Sequence, residues 1–209
     1  MSKCVRLTSK KIYSTNKKVM LTFQAINANP QALSMTPPKT SKGGTKIACL
    51  NWNKKPISVK LAPDLNSVST PFAPSVFGGG EADRKGILFN IPDETYEQIY
   101  EFEQSCLKAM EEHVPNIFEI WRTAITPAEK YSATLKAKIN TGGDNRVEYY
   151  NAAYEPVEEP ESWRHLPVNA FISIRGCYIQ KAQAGFLIDV SYLQYGDAED
   201  AQPRACPFL

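Results

Sequence analysis

The chain has 209 residues, 43% of them hydrophobic and 22% charged, with 24 Lys and Arg against 22 Asp and Glu, a composition that excludes a largely disordered polymer. No stretch reaches the roughly 20 apolar residues of a spanning helix, and residues 1–18 lack the apolar core of a secretion signal, so an intracellular protein, not secreted, is expected. Five well-separated cysteines without a C-x-x-C pair argue against a disulfide frame and a zinc site, and Cys49, Cys106 and Cys177 are expected as small core residues.

The near-neutral total conceals a division. Residues 1–80 hold twelve basic side chains and one acid, Asp64, whereas residues 81–209 hold twelve basic and twenty-one acidic side chains. The basic part still carries Val19, Leu21, Phe23, Ile47, Ile57, Val59 and Leu61 at strand-like spacing, and folded basic sheet is one way to hold a polyanion. A solvated lysine face is the plainer alternative.

In chain order, strands are expected at residues 18–26, 45–52, 56–61, 85–91, 131–139, 146–151, 168–177 and 184–195, from β-branched and aromatic runs bounded by Pro, Gly and Asn. One helix interrupts them. It is expected from Asp93, as cap, to about Val114, with Ile99, Phe102, Cys106 and Met110 on the buried stripe and Glu97, Glu101, Glu103, Glu111 and Glu112 on the wet side. Residues 27–44, 71–80 and 152–166 read as long loops, where binding surfaces often lie. The pattern is mainly β with one amphipathic α-helix packed across one end of a barrel.

Catalytic material is sparse. His113 and His165 have no partner at ligand spacing, so neither a metal nor a cofactor is expected. Gly78-Gly79-Gly80 lacks the Gly-Lys-Ser/Thr ending of a phosphate loop, and no Gly-x-Ser-x-Gly elbow occurs. A non-catalytic protein is expected.

Alternation sorts side chains by face. In 131–139, Tyr131, Ala133, Leu135, Ala137 and Ile139 form the core set, leaving Lys136 and Lys138 outward beside Ser132 and Thr134. In 168–177 the core set is Val168, Ala170, Ile172, Ile174 and Gly176, and Phe171 shares the opposite face with Arg175. Lys60 opposes Ile57, Val59 and Leu61, and Lys46 shares a face with Trp52. Lys54, Lys55, Arg84, Tyr149 and Lys181 complete the candidate interface. Cations beside rings suit single-stranded nucleic acid, whose bases stack on aromatics at about 1–3 kcal/mol each. Tyr149, Tyr150, Tyr154 and Phe171 are equally open to a packing role, and Trp163 to that of a plug over a barrel end.

The layout of Thr70-Pro-Phe-Ala-Pro-Ser-Val-Phe77, the strand 86–91 running into the helix 93–114, Lys130-Tyr-Ser-Ala-Thr-Leu-Lys-Ala-Lys138, and the pair Phe171–Ile179 and Gly185–Leu193 resembles the single-stranded-DNA-binding proteins of tailed phages and large DNA viruses. The resemblance spans about residues 45–195 and implies a single OB-like β-barrel, elaborated by extra strands and long loops, with the domain expected over residues 1–196. It also implies a sequence-independent role in coating and protecting single-stranded DNA during replication or recombination. A flexible acidic tail, 197–209, with Asp197, Glu199, Asp200 and the apolar Phe208, would by the same resemblance engage replication proteins, though Arg204 interrupts its acids and an inert terminus stays equally open. Single-stranded DNA is the expected partner, a homodimer is a further option, and no membrane is expected. A viral structural or capsid-associated β-sandwich and an RNA-binding regulator stay open as alternatives.

Overall fold

The computed structural model describes residues 21–41, 43–62, 67–76 and 83–196. The expected tail at 197–209 and the start of the first expected strand lie outside the described residues. Among those described, no helix is long and apolar enough to cross a membrane.

The strands are β1 (Leu33–Met35), β2 (Lys39–Thr40), β3 (Lys46–Trp52), β4 (Lys55–Lys60), β5 (Val68–Thr70), β6 (Arg84–Ile91), β7 (Ile125–Thr126), β8 (Ala133–Asn140), β9 (Glu148–Tyr150), β10 (Leu166–Ile179) and β11 (Ala184–Tyr195). β10 is the spine. One of its edges pairs with β11 from Val168 to Ile179, and the other is taken in turn by β5, β4 and β3. From β5 the wall continues through β6 and β8 to β11, where β8 and β11 run parallel, and β11 returns to β10. The result is a closed five-stranded barrel. In chain order its strands are arranged 1-2-3-5-4-1, with the remaining strands added outside the ring; this is an OB-like Greek key, and its closure displaces the β-sandwich alternative.

β3 and β4 form a hairpin whose two-residue turn, Asn53-Lys54, has φ of 50° and 62°, the left-handed pair that a type I′ turn requires. Its arms then diverge. β4 pairs with Phe171–Ile174 and β3 with Gly176–Ile179, so one hairpin covers two successive lengths of the β10 edge. The change of partner coincides with a bulge between Ile174 and Gly176. Inward phase shifts there: Val168, Ala170, Ile172 and Ile174 are buried before it, and Cys177 and Ile179 after it. Gly176 therefore marks a break in the expected core set.

The expected helix is α2 (Asp93–Glu111). Asp93 is its first residue, not its cap; Pro92 holds the cap position without a side-chain bond, and Asp93 and Glu94 instead favour the positive end of the dipole. The apolar stripe closes one barrel end. Phe102 packs between Phe23, at 5.4 Å, and Phe186, at 5.5 Å, and Trp121 meets Phe186 edge-on at 4.9 Å. Trp163 is buried near the opposite end, with its ring 6.1 Å from Tyr149.

Glu103 departs from its expected place on the wet side. It is 2% exposed, accepts hydrogen bonds from Trp121 Nε1 and Thr123 Oγ1, both at 2.8 Å, and also from the Ala124 backbone. Burial pushes its carboxyl above the usual range, and those hydrogen bonds only partly offset the shift. The native state thus holds the proton more tightly than the unfolded chain. Stability from this group is full below the ordinary glutamate pKa and is lost as pH rises through the raised folded value. Urea unfolding across pH 4 to 8 should show that decline, and Glu103→Gln should flatten it; parallel profiles for the two proteins would exclude the effect.

Other expectations fail for local reasons. Residues 23–27 form a short helix, α1 (Phe23–Asn27), instead of a strand, because Thr22 Oγ1 caps it by accepting from the Ala25 N–H at 3.1 Å. The expected loop at 27–44 contains β1 and β2, and a further short helix, α3 (Ile117–Ile120), was not expected. Cys49 is exposed, since Ala48 and Leu50 take the inward positions of β3. Tyr131, assigned to the core, is 85% exposed and precedes β8.

Candidate nucleic-acid interface

On β8, Ala133, Leu135, Ala137 and Ile139 point inward, so Thr134, Lys136, Lys138 and Asn140 line the outer face. Register extends that face sideways. Lys138 lies opposite Gly86 on β6 and Asp189 on β11, and Asp189 lies opposite Ser173 on β10. Arg84 Nη2 donates to Asp189 Oδ1 at 2.8 Å, and Arg175 Nε donates to Asp189 Oδ2 at 2.6 Å. Four adjacent strands therefore contribute Arg84, Lys138, Asp189 and Arg175 to one row that carries three cations and one acid. Lys136 lies on the same face as Lys138.

Partial burial, and then the neighbouring Lys136 and Arg84 charges, lower the Lys138 pKa, while Asp189 opposes the shift. An ammonium in that position is under-compensated. A phosphate placed beside it would restore its preference for the proton.

The aromatic part differs from expectation. Phe171 is 4% exposed and cannot offer a face to a base. It instead underlies Tyr192, stacked at 3.9 Å and 22°, and Tyr150 meets Tyr192 edge-on at 5.9 Å. Tyr192 is the half-buried ring of this group. Simple alternation from Ile188 and Val190 would have put it in the core. The register shift that leaves Ser191 without a partner on β10 turns it outward, opposite Phe171.

The other expected residues divide by position. Lys60 is opposite Phe171 on β4, at the margin of the row. Tyr149 is buried, with its ring on Trp163, and burial pushes its hydroxyl well up. Trp52 shares the inward face of β3 with Ala48 and Leu50 and packs against the core. Lys46 begins β3, Lys54 and Lys55 stand at the hairpin tip, and Lys181 is in the β10–β11 turn; all are exposed and apart from the row.

An acidic strap limits the face on one side. Asn169 donates to Gln194, which donates to the Asn151 and Ala152 carbonyls, and Tyr195 donates to the Glu158 carbonyl at 2.6 Å. Asn169 and Gln194 are buried beneath it. The open part of the outer face is the part that holds Ser173, Arg175, Lys136 and Lys138. Phe72 and Val76, exposed at 67% and 43%, lie on the segment leaving β5. That segment runs beside β6, as its Ser75–Gly86 bridge shows, and OB barrels commonly bind oligonucleotides through this loop and the second and third strands.

No family model and no curated protein matches the chain. Among solved structures, the single-stranded DNA-binding protein gp2.5 of bacteriophage T7 is similar over 72% of this chain and 97% of its own, at 11% identity and a TM-score of 0.49. The single-stranded DNA-binding protein of bacteriophage Enc34 in complex with single-stranded DNA is similar over 82% of this chain and 96% of its own, at 14% identity and a TM-score of 0.42. At these scores the likeness carries no argument about what this chain binds.

Proposed function

We propose that the chain binds single-stranded DNA without sequence preference, coating and protecting exposed strands during viral DNA replication or recombination. The observation that supports this most directly is the row of Arg84, Lys138 and Arg175 across adjacent strands, with Lys136 beside it and the half-buried Tyr192 on the same outer face. Fixed cations hold a backbone whatever its sequence, and a ring takes any unpaired base on its π-face. A duplex hides those faces by stacking them. RNA presents the same phosphates and bases, so the 2′-hydroxyl decides between the two substrates.

The test is a titration of matched single-stranded DNA, duplex DNA and RNA at several salt concentrations, with the native chain and with Lys136→Ala/Lys138→Ala. Single-stranded DNA should bind most tightly. The double variant should lose about tenfold in affinity on every sequence alike and flatten the slope of log affinity against log salt by about 0.7 per lost contact. Native affinity should also fall as pH rises through the lowered Lys138 pKa, a dependence absent from the double variant. Unchanged affinity and slope in a folded double variant would remove the row from the site.

A further inference from the structure

The outer wall divides beside the row. β11 pairs with β8 at Asp189–Lys138 and with β9 from Tyr192 onward, and the turn between β8 and β9 borders the opening. The resulting cleft has a volume of about 660 Å³, within the range of small-molecule sites. Three guanidiniums, Arg84, Arg146 and Arg175, line it together with four carboxylates, Asp83, Asp144, Glu148 and Asp189.

Two of those guanidiniums are already oriented by Asp189, whereas Arg146 forms no ion pair among the described residues. Glu148 accepts from the Tyr150 hydroxyl at 2.7 Å, which fixes one of its oxygens. No aromatic residue lines the cleft. A base within it would be held at its hydrogen-bonding edge and not by stacking.

Guanidiniums match phosphate, and carboxylates match the exocyclic amino group of a base. A nucleotide carries both and is of a size the cleft admits. We infer that the cleft takes one nucleotide bearing an amino base, with its phosphate toward Arg146 and Arg84 and its amino edge toward Asp144 and Glu148. This deepens the proposed single-strand binding and rests on it for the source of that nucleotide; a free mononucleotide offers the same chemistry. Because Arg84 and Arg175 belong both to the row and to the cleft, a strand following the row reaches the mouth of the cleft, and a sequence-tolerant surface acquires one position that favours cytosine over thymine.

The test titrates the full chain with dCMP, TMP and inorganic phosphate by calorimetry, and with oligo-dC and oligo-dT by fluorescence. Saturable dCMP binding, roughly fivefold or more tighter than TMP or phosphate, and a similar preference for oligo-dC are expected. Asp144→Asn should remove the preference and leave oligo-dT affinity unchanged, and Arg146→Ala should weaken dCMP. Equal binding of dC and dT, with oligonucleotide affinity intact, overturns the cleft and leaves the row standing. Phosphate binding as tightly as dCMP overturns it too, by showing an anion site alone. Saturable dCMP binding without any oligonucleotide binding supports the cleft and overturns the proposed single-strand function.

Discussion

Alanine at Gly176 should destabilise the protein by about 3–5 kcal/mol, combining a disallowed backbone conformation with overpacking. Gly176 has φ of 152°, where side chains are strained, and an added Cβ would collide with the Ala48 carbonyl oxygen and approach Cys49 Cα to 2.9 Å. Both obstacles are backbone atoms of β3. They cannot retreat without opening the pairing that joins Gly176 to Cys49 and Cys177 to Ala48. The site lies where β10 exchanges β4 for β3, so the damage should spread to the hairpin and then to the barrel wall. Gly143→Ala is the control, because Gly143 has φ of 72° with nothing near its missing Cβ; it isolates the conformational cost, about 1 kcal/mol. Thermal unfolding should place Gly176→Ala roughly 6–20 °C below the native chain, at about 2–4 °C per kcal/mol for a chain of this size. A Gly176 variant no less stable than the Gly143 variant would show that β3 yields easily and that the close approach is incidental.

The strongest periodic signals in the sequence correspond to the elements that build the barrel. β6, β8, β10, β11 and α2 each bury a regular apolar set against one core, and a regular set is what alternation or a three-to-four stripe records. The outward placement of Lys136, Lys138 and Arg175 was legible for the same reason. What escaped depends on single-residue departures from those periods. Ser191 and Arg175 are the extra residues that each shift a strand's phase by one position, which turns Tyr192 outward and makes Cys177 the next core residue. Phe171 does face outward, as alternation implies, but Tyr192 covers it, and sequence spacing says nothing about cross-strand stacking. Glu103 was unreadable because a carboxylate is ordinarily placed in water; its burial depends on Trp121 and Thr123, eighteen and twenty residues away. Asp189, the acid at the centre of the cationic row, appeared in the sequence only as one polar residue inside an apolar strand.

Asp189→Asn should therefore change stability and binding in opposite directions. In the free protein the Asp189 side chain is 12% exposed while its partners Arg84 and Arg175 are 36% and 54% exposed, so the carboxylate is the more deeply committed member of the group. Asparagine can accept from one arginine but turns an N–H toward the other, and Lys138 loses the charge that opposes its repulsion by Lys136 and Arg84. The loss should be about 1–3 kcal/mol, the range for hydrogen bonds to a buried charged group, held toward the lower end by solvent around the arginines. For a bound strand the balance reverses. Asp189 competes with phosphate for the same guanidinium donors, and its removal raises the net charge of the row. Affinity for single-stranded DNA at low salt should rise several-fold, with the salt dependence steeper by about 0.7 for one further neutralised phosphate, so that native and variant converge at high salt. A variant that is less stable and also binds more weakly at every salt concentration would assign Asp189 the opposite role: it would then hold the two guanidiniums where the backbone needs them, and its charge would matter less than the geometry it imposes.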